Sequence, residues 1–168
     1  TSVKENASSQ DFSVNTDQSN ATNYKTSDLM YASCESNHTK GTPVSLTFKH
    51  KLSKVTVELV AGTGFQDADL NNAVVKITNT STKCSILSLN ESGIGAITAS
   101  STSSDIKPIE IGTWNSSSKE KMSAIVIPQT VNKGIVLFEV TLAGSNTKPY
   151  KYTIPAGGSD VIFAESNE

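Results

Sequence analysis

Beyond Pro43 the chain alternates apolar and polar residues with a period of two, the spacing of strands that bury one face. Val44, Leu46, Phe48 and His50 alternate with Ser45, Thr47 and Lys49, and Val55, Val57 and Leu59 alternate with Thr56 and Glu58. Val75 with Ile77, residues 84–89 and residues 94–97 are further candidates. Ala124, Ile125, Val126 and Ile127 form a continuous apolar run that stops at Pro128. Val136, Phe138, Val140 and Leu142 alternate again, followed by Tyr150, Tyr152 and Ile154, and then by Val161, Ile162 and Phe163. Turn chemistry separates these runs, at Gly62-Thr63-Gly64, Asn71-Asn72, Asn132-Lys133-Gly134, Gly144-Ser145-Asn146 and Gly157-Gly158. The pattern predicts seven to nine short strands, no amphipathic helix and no repeat of fixed period, which excludes propellers and solenoids. Antiparallel strands with one buried face must stack as two sheets or close on themselves, and the expected fold is an all-β antiparallel sandwich.

The first 43 residues read differently. They hold 11 apolar residues and 21 Ser, Thr, Asn or Gln, too little apolar surface for a core of their own. They are expected to form a polar arm, pinned to the domain 44–168 through Phe12, Val14 or Leu29-Met30-Tyr31.

Composition supports strands and narrows function. The 168 residues include 25 Ser, 19 Thr and 13 Asn, with only 18% charged, a balance that disfavours helical bundles. All 14 basic residues are Lys, scattered among 16 acids for a net charge of −2. Without Arg or a basic patch, nucleic-acid binding is excluded as a working hypothesis. No apolar run approaches the ~18 residues that a bilayer span requires. No signal peptide is visible, and a start at Thr1 is read as a mature or excised piece.

Candidate chemistry is sparse. No nucleophile elbow, zinc-protease helix, phosphate loop or dinucleotide fingerprint occurs. His50 is expected to be a half-buried strand-end residue with a hydrogen bond, and His38 sits in the polar arm without ligand partners at metal spacing. Asp67 and Asp69, with Asp28 or Asp105, can be imagined as a carboxylate pair, but Asp67-Ala68-Asp69 reads as turn chemistry or at most a loose calcium site. Cys34 and Cys84 fit a disulfide or two free thiols. Six Asn-x-Ser/Thr sequons, at Asn6, Asn20, Asn37, Asn79, Asn90 and Asn115, follow from composition. Trp114 with Tyr150 and Tyr152 would be the platform if the domain were instead a carbohydrate-binding module. An enzyme such as a glycosidase is the third reading, and no metal or cofactor site is expected.

One stretch is more specific. Residues 44–59, VSLTFKHKLSKVTVEL, resemble the Phe-x-His-x-Leu-Ser-Lys-Val segment of the fimbrillin-like proteins of Bacteroidales, the subunits of type V pili, through Phe48, His50, Leu52, Ser53, Lys54 and Val55. Asp17-Gln18-Ser19 and Ser27-Asp28-Leu29-Met30-Tyr31-Ala32 are similar to the family's approach to that segment. The resemblance implies a surface protein made as a lipoprotein precursor and assembled into an outer-membrane fimbria, with transthyretin-like sandwich domains. Its partners would be other pilin subunits, with host or bacterial surface molecules as ligands. It makes residues 1–43 the end of a preceding N-terminal domain and 44–168 the C-terminal domain, short of its last strand. No lipobox cysteine or Arg cleavage site is present in these residues. Assembly in such subunits proceeds by strand exchange, and the candidate inter-subunit strands are Phe12–Val14 and the Val161, Ile162, Phe163 segment.

Overall fold

The computed structural model describes residues 9–32, 39–87, 89–90, 93–112, 121–143 and 148–165. The first part contains β1 (Ser9–Ser13), helix α1 (Ala21–Thr26), β2 (Met30–Tyr31), β3 (Lys49–His50), β4 (Ser53–Glu58) and β5 (Val74–Ile77). The middle contains β6 (Lys83–Leu87), β7 (Leu89–Asn90), β8 (Gly93–Ile94), β9 (Ile97–Ala99) and β10 (Ile109–Glu110). β11 (Lys121–Val126), β12 (Gln129–Val131), β13 (Val136–Thr141), β14 (Tyr150–Thr153) and β15 (Val161–Phe163) complete the order. The named strands pair only antiparallel, in the orders β1-β6-β9, β10-β11-β4 and β14-β13-β5, with two-stranded pairs β12-β15, β2-β3 and β7-β8. The chain is therefore the all-β antiparallel sandwich its alternation predicts. Seven of the strands named above have four or more residues, and of the shorter ones β15 was visible in the sequence as Val161, Ile162 and Phe163.

The interior is shared by the whole described chain. Ile77, Ile106, Ala124, Val126 and Ile127 are fully buried, and Phe12, Val14, Leu29, Leu52 and Ile154 belong to the same cluster. Residues 9–32, read from composition as part of an arm, thus contribute to one core with residues beyond Pro43. Phe12, Val14 and Leu29 are placed inward while Met30 is exposed, and the side chain of Gln18 replaces a missing backbone partner.

The clearest case is Gln18, which is 0% exposed. Its Nε2 donates to the carbonyl of Ile125 at 2.8 Å, and its Oε1 accepts from the amide of Ile125 at 2.8 Å. The side-chain amide stands where another strand would pair with β11. A parallel bridge between Asp17 and Lys107 leads into it, with the Gln18 amide 2.8 Å from the Lys107 carbonyl. Asp17 shapes the turn: its carboxylate accepts from the Ser19 hydroxyl at 2.5 Å and the Ser19 amide at 3.0 Å. These bonds hold its carboxyl below the usual carboxylate range.

The sequence pattern gives no helix, yet α1 forms. Asn20 caps it by accepting from the Asn23 amide at 2.9 Å. Buried Ser27 ends it, bonding the Asn23 carbonyl at 2.8 Å and accepting from the Asn15 amide at 2.9 Å. A six-residue helix shows too little periodicity to be read, and here caps do most of the work that an apolar face does elsewhere. Tyr24 packs against the core, with its hydroxyl 3.0 Å from that of Ser123 on β11. β11 is consequently covered on both faces, which is why it carries a continuous apolar run instead of an alternation.

The longest alternation gives another difference. Of residues 44–50, expected to be one strand, only Lys49–His50 pairs, opposite Met30–Tyr31, and residues 43–48 are in no ladder. Val44, Leu46 and Phe48 are exposed.

Replacing Gln18 by Ala orphans a buried N–H and a buried C=O on the central strand. At ~1–3 kcal/mol for each stranded group, the variant should lose about 2–6 kcal/mol. Urea unfolding should show a lower midpoint at unchanged slope.

Candidate functional site

Among the described residues β4 is laddered only to β11, and residues of β4 and β15 line two shared cavities. Parity tells which groups lie on the other edge of β4. Because Gln18 takes both backbone groups of Ile125, the Lys54–Ile125 pair exchanges no ladder bonds. The N–H and C=O of Lys54 and Thr56 therefore point away from β11.

β4 and β15 form no ladder with each other among the described residues, and side chains tie them at one end. The Ser53 hydroxyl donates to the Ala164 carbonyl, and the Lys51 ammonium meets the Glu165 carboxylate at 2.5 Å. Next to these ties a shallow cavity of about 290 Å³ lies between Ser53, Lys54 and residues 162–165. Farther along β4 the seam widens into a groove of about 420 Å³, lined chiefly by Val57, Leu137, Phe138, Tyr152, Val161 and Phe163.

The register explains the groove. Val75 and Ile77 on β5 stand opposite Val140 and Phe138 on β13, which stand opposite Tyr150 and Tyr152 on β14. Directly paired residues share a face. Val75 and Ile77 are buried, whereas Tyr150 and Tyr152 are half exposed, so the inner face of this sheet runs out uncovered at β14. Phe65 meets Tyr150 edge-on at 5.8 Å and 86°, and Phe138 meets Tyr152 at 6.0 Å and 43°.

Of the motif residues, Leu52 is buried, Ser53 makes the tie to Ala164, Val55 faces the core, and Lys54 is exposed on β4. His50 is half buried, with Nδ1 2.8 Å from Asp28 Oδ2, fastening β3 beside β2. Phe48 is 59% exposed. Phe12 and Val14 are inside the core, although β1 is an outer strand. Val161 and Phe163 line the groove, and Ile162 is 71% exposed. The aspartates are dispersed: Asp69 accepts from the Gln66 amide, Asp105 faces Lys76, and Asp28 holds His50. Among the described residues no group of three or more acidic, His or Cys side chains is placed to bind a metal. Cys34, His38 and Trp114 lie outside the described residues, so Tyr150 and Tyr152 are the described part of the expected sugar platform, and their ring contacts are edge-on or tilted. Gln18, which sets the parity of β4, was not legible as functional, and the groove roles of Phe138 and Tyr152 were not legible either. Their alternation is visible in the sequence, but the lack of a covering strand is not.

A family model described as fimbrillin-like matches residues 2–167. No curated protein matches the chain. Among solved structures, a candidate cell adhesion protein of Bacteroides uniformis is similar, with a TM-score of 0.66 and 25% identity. The similarity covers 94% of this chain and 57% of that one, so the chain spans little more than half of that protein's length. Among the described residues no helix is long and apolar enough to cross a membrane.

Cys84 is a free thiol on β6, buried against the core. Burial pushes its pKa from 9.0 to about 11, opposed by a hydrogen bond with the Phe12 backbone and reinforced by the nearby Asp11 charge. In the unfolded chain the thiol ionises near 9.0, while the folded chain keeps its proton up to about 11. Stability should therefore fall as pH rises through that window. Urea midpoints measured from pH 8 upward should decline less steeply for Cys84→Ala than for the parent protein.

Proposed function

The chain belongs to the fimbrillin-like family, and on that premise we propose that it is a structural or adhesive subunit of a cell-surface fimbria, without catalysis, that assembles by strand addition in the seam between β4 and β15. The observation that carries this reading is the pairing of an unladdered strand edge with an apolar floor. Exposed edges are normally blunted, because a row of free N–H and C=O groups recruits other strands. Here the edge at Lys54 and Thr56 borders Val57, Phe138, Tyr152, Val161 and Phe163. An added strand would satisfy the edge through main-chain bonds and place alternate side chains in the groove.

On this reading the protein is exported, made as a lipoprotein precursor and displayed at the outer membrane. Its partners are other pilin subunits, in a homo- or hetero-polymer, and its distal contacts are host or bacterial surface molecules.

Hydrogen exchange tests the seam directly. The amides of Lys54 and Thr56 should exchange freely in the dilute monomer and become protected in assembled material. Thr56→Pro deletes an outward N–H at a position where an edge strand tolerates proline. It should leave the thermal midpoint of the monomer nearly unchanged and weaken assembly by about tenfold or more, equivalent to ~1.4 kcal/mol. Assembly without protection of Lys54 and Thr56 would rule the seam out.

A further inference from the structure

We infer that the strand taken up by the seam is the segment 43–48 of a second copy of this chain, an inference that rests on the strand-addition reading above. Val44, Leu46 and Phe48 are 47%, 48% and 59% exposed, project at a spacing of two and belong to no ladder. Between them stand Ser45 and Thr47, uncharged residues suited to the solvent face of a strand. Such a segment is itself an incomplete strand: among the described residues nothing lies on its apolar face and no backbone group pairs with it.

The dimensions agree. From Val44 to Phe48 an extended chain runs about 13 Å, at ~3.3 Å per residue, and residues 54–58 along the seam run the same distance. Three alternate apolar side chains thus meet a floor built from Val57, Phe138, Tyr152, Val161 and Phe163. No charge has to enter the groove, since the first ionisable neighbour is Lys49.

The same molecule is poorly placed to insert its own segment. Residues 49–51 are fixed alongside β2: Lys49 and His50 pair with Tyr31 and Met30, and the Lys51 amide donates to the Leu29 carbonyl at 2.8 Å. The His50–Asp28 contact closes the same side. Turning 43–48 back along β4 would require breaking all of these. A second molecule needs none of them broken.

Donor and acceptor are different surfaces, so the contact is heterologous and grows head to tail instead of closing as a symmetric pair. Each copy that fills a seam brings an empty one with it.

Two variants separate the halves of the contact. Leu46→Asp with Phe48→Asp removes the apolar donor and keeps the seam, while Thr56→Pro removes the seam edge and keeps the donor. Light scattering should show mass rising with concentration for the parent protein and monomer for either variant alone. Mixing the two should give a complex that stops at two molecules. A peptide of residues 43–49 should bind the donor-deficient variant and cap growth of the parent, and the same peptide with both Asp substitutions should bind about tenfold more weakly or worse. Circular dichroism and thermal midpoints identify any variant that fails to fold, and in that case the peptide measurement on the parent chain decides alone. If Lys54 and Thr56 become protected in assemblies while peptide 43–49 fails to bind, the donor lies elsewhere and the strand-addition reading stands. If neither occurs, both are overturned.

Discussion

The fold depends on how β11 is enclosed. A central strand needs partners along both edges and cover on both faces, and this chain supplies them from distant parts of the sequence. β4 takes one edge; β10 and the side chain of Gln18 take the other. The core covers one face, and the segment carrying Tyr24 covers the other. A buried backbone group left without a partner costs as much as a sizeable share of a domain's net stability. The two bonds from Gln18 therefore join the β1–β6 ladder and the buried Phe12 and Val14 in docking the N-terminal segment. Once they form, the parity of the β4 ladder is set, and so is the side on which its remaining groups emerge.

The seam follows from that arrangement together with the shortness of β15. Three residue pairs hold β15 to β12, and among the described residues the approach to β4 is bridged by the side chains of Ser53 and Lys51. The sheet containing β13 and β14 extends beyond what the opposing layer covers, and aromatic rings occupy the overhang. The result is a sandwich closed at the Ser53 end and open toward Val57. On the proposed reading this opening is where a neighbouring strand is taken up, whereas an exposed strand edge is otherwise an aggregation hazard.

Much of the architecture was legible because alternation is a direct record of which face is buried. β4, β5, β13 and β14 lie where Val55–Val57, Val75–Ile77, Val136–Val140 and Tyr150–Tyr152 put them, and the unbroken run at 124–127 marks the strand covered on both faces. What was not legible came from side chains acting as backbone. Gln18 looks like one more polar residue in a polar segment, and nothing local reveals that its partner is 107 positions away. The helix at Ala21–Thr26 is set by caps, and residues 43–48 show that a strand pattern records a readiness to pair, not the presence of a partner. The motif Phe48 to Val55 carries the family resemblance, yet its residues do unlike jobs: Leu52 and Val55 fill the core, Ser53 latches β15, His50 braces β3, and Phe48 faces water.

The latch at the closed end has a consequence for the medium in which the protein works. Lys51 and Glu165 keep 20% and 31% of their side-chain surface in contact with solvent, so mobile ions reach the pair and shield it. The groove carries one ionisable lining residue, Glu58, but the floor of Val57, Leu137, Phe138, Val161 and Phe163 is apolar, and strongly hydrated salts favour its burial. Rising ionic strength thus slackens the clasp beside Ser53 while leaving the greasy trough as attractive as before. Added salt would therefore loosen the mouth of the seam without weakening its lining.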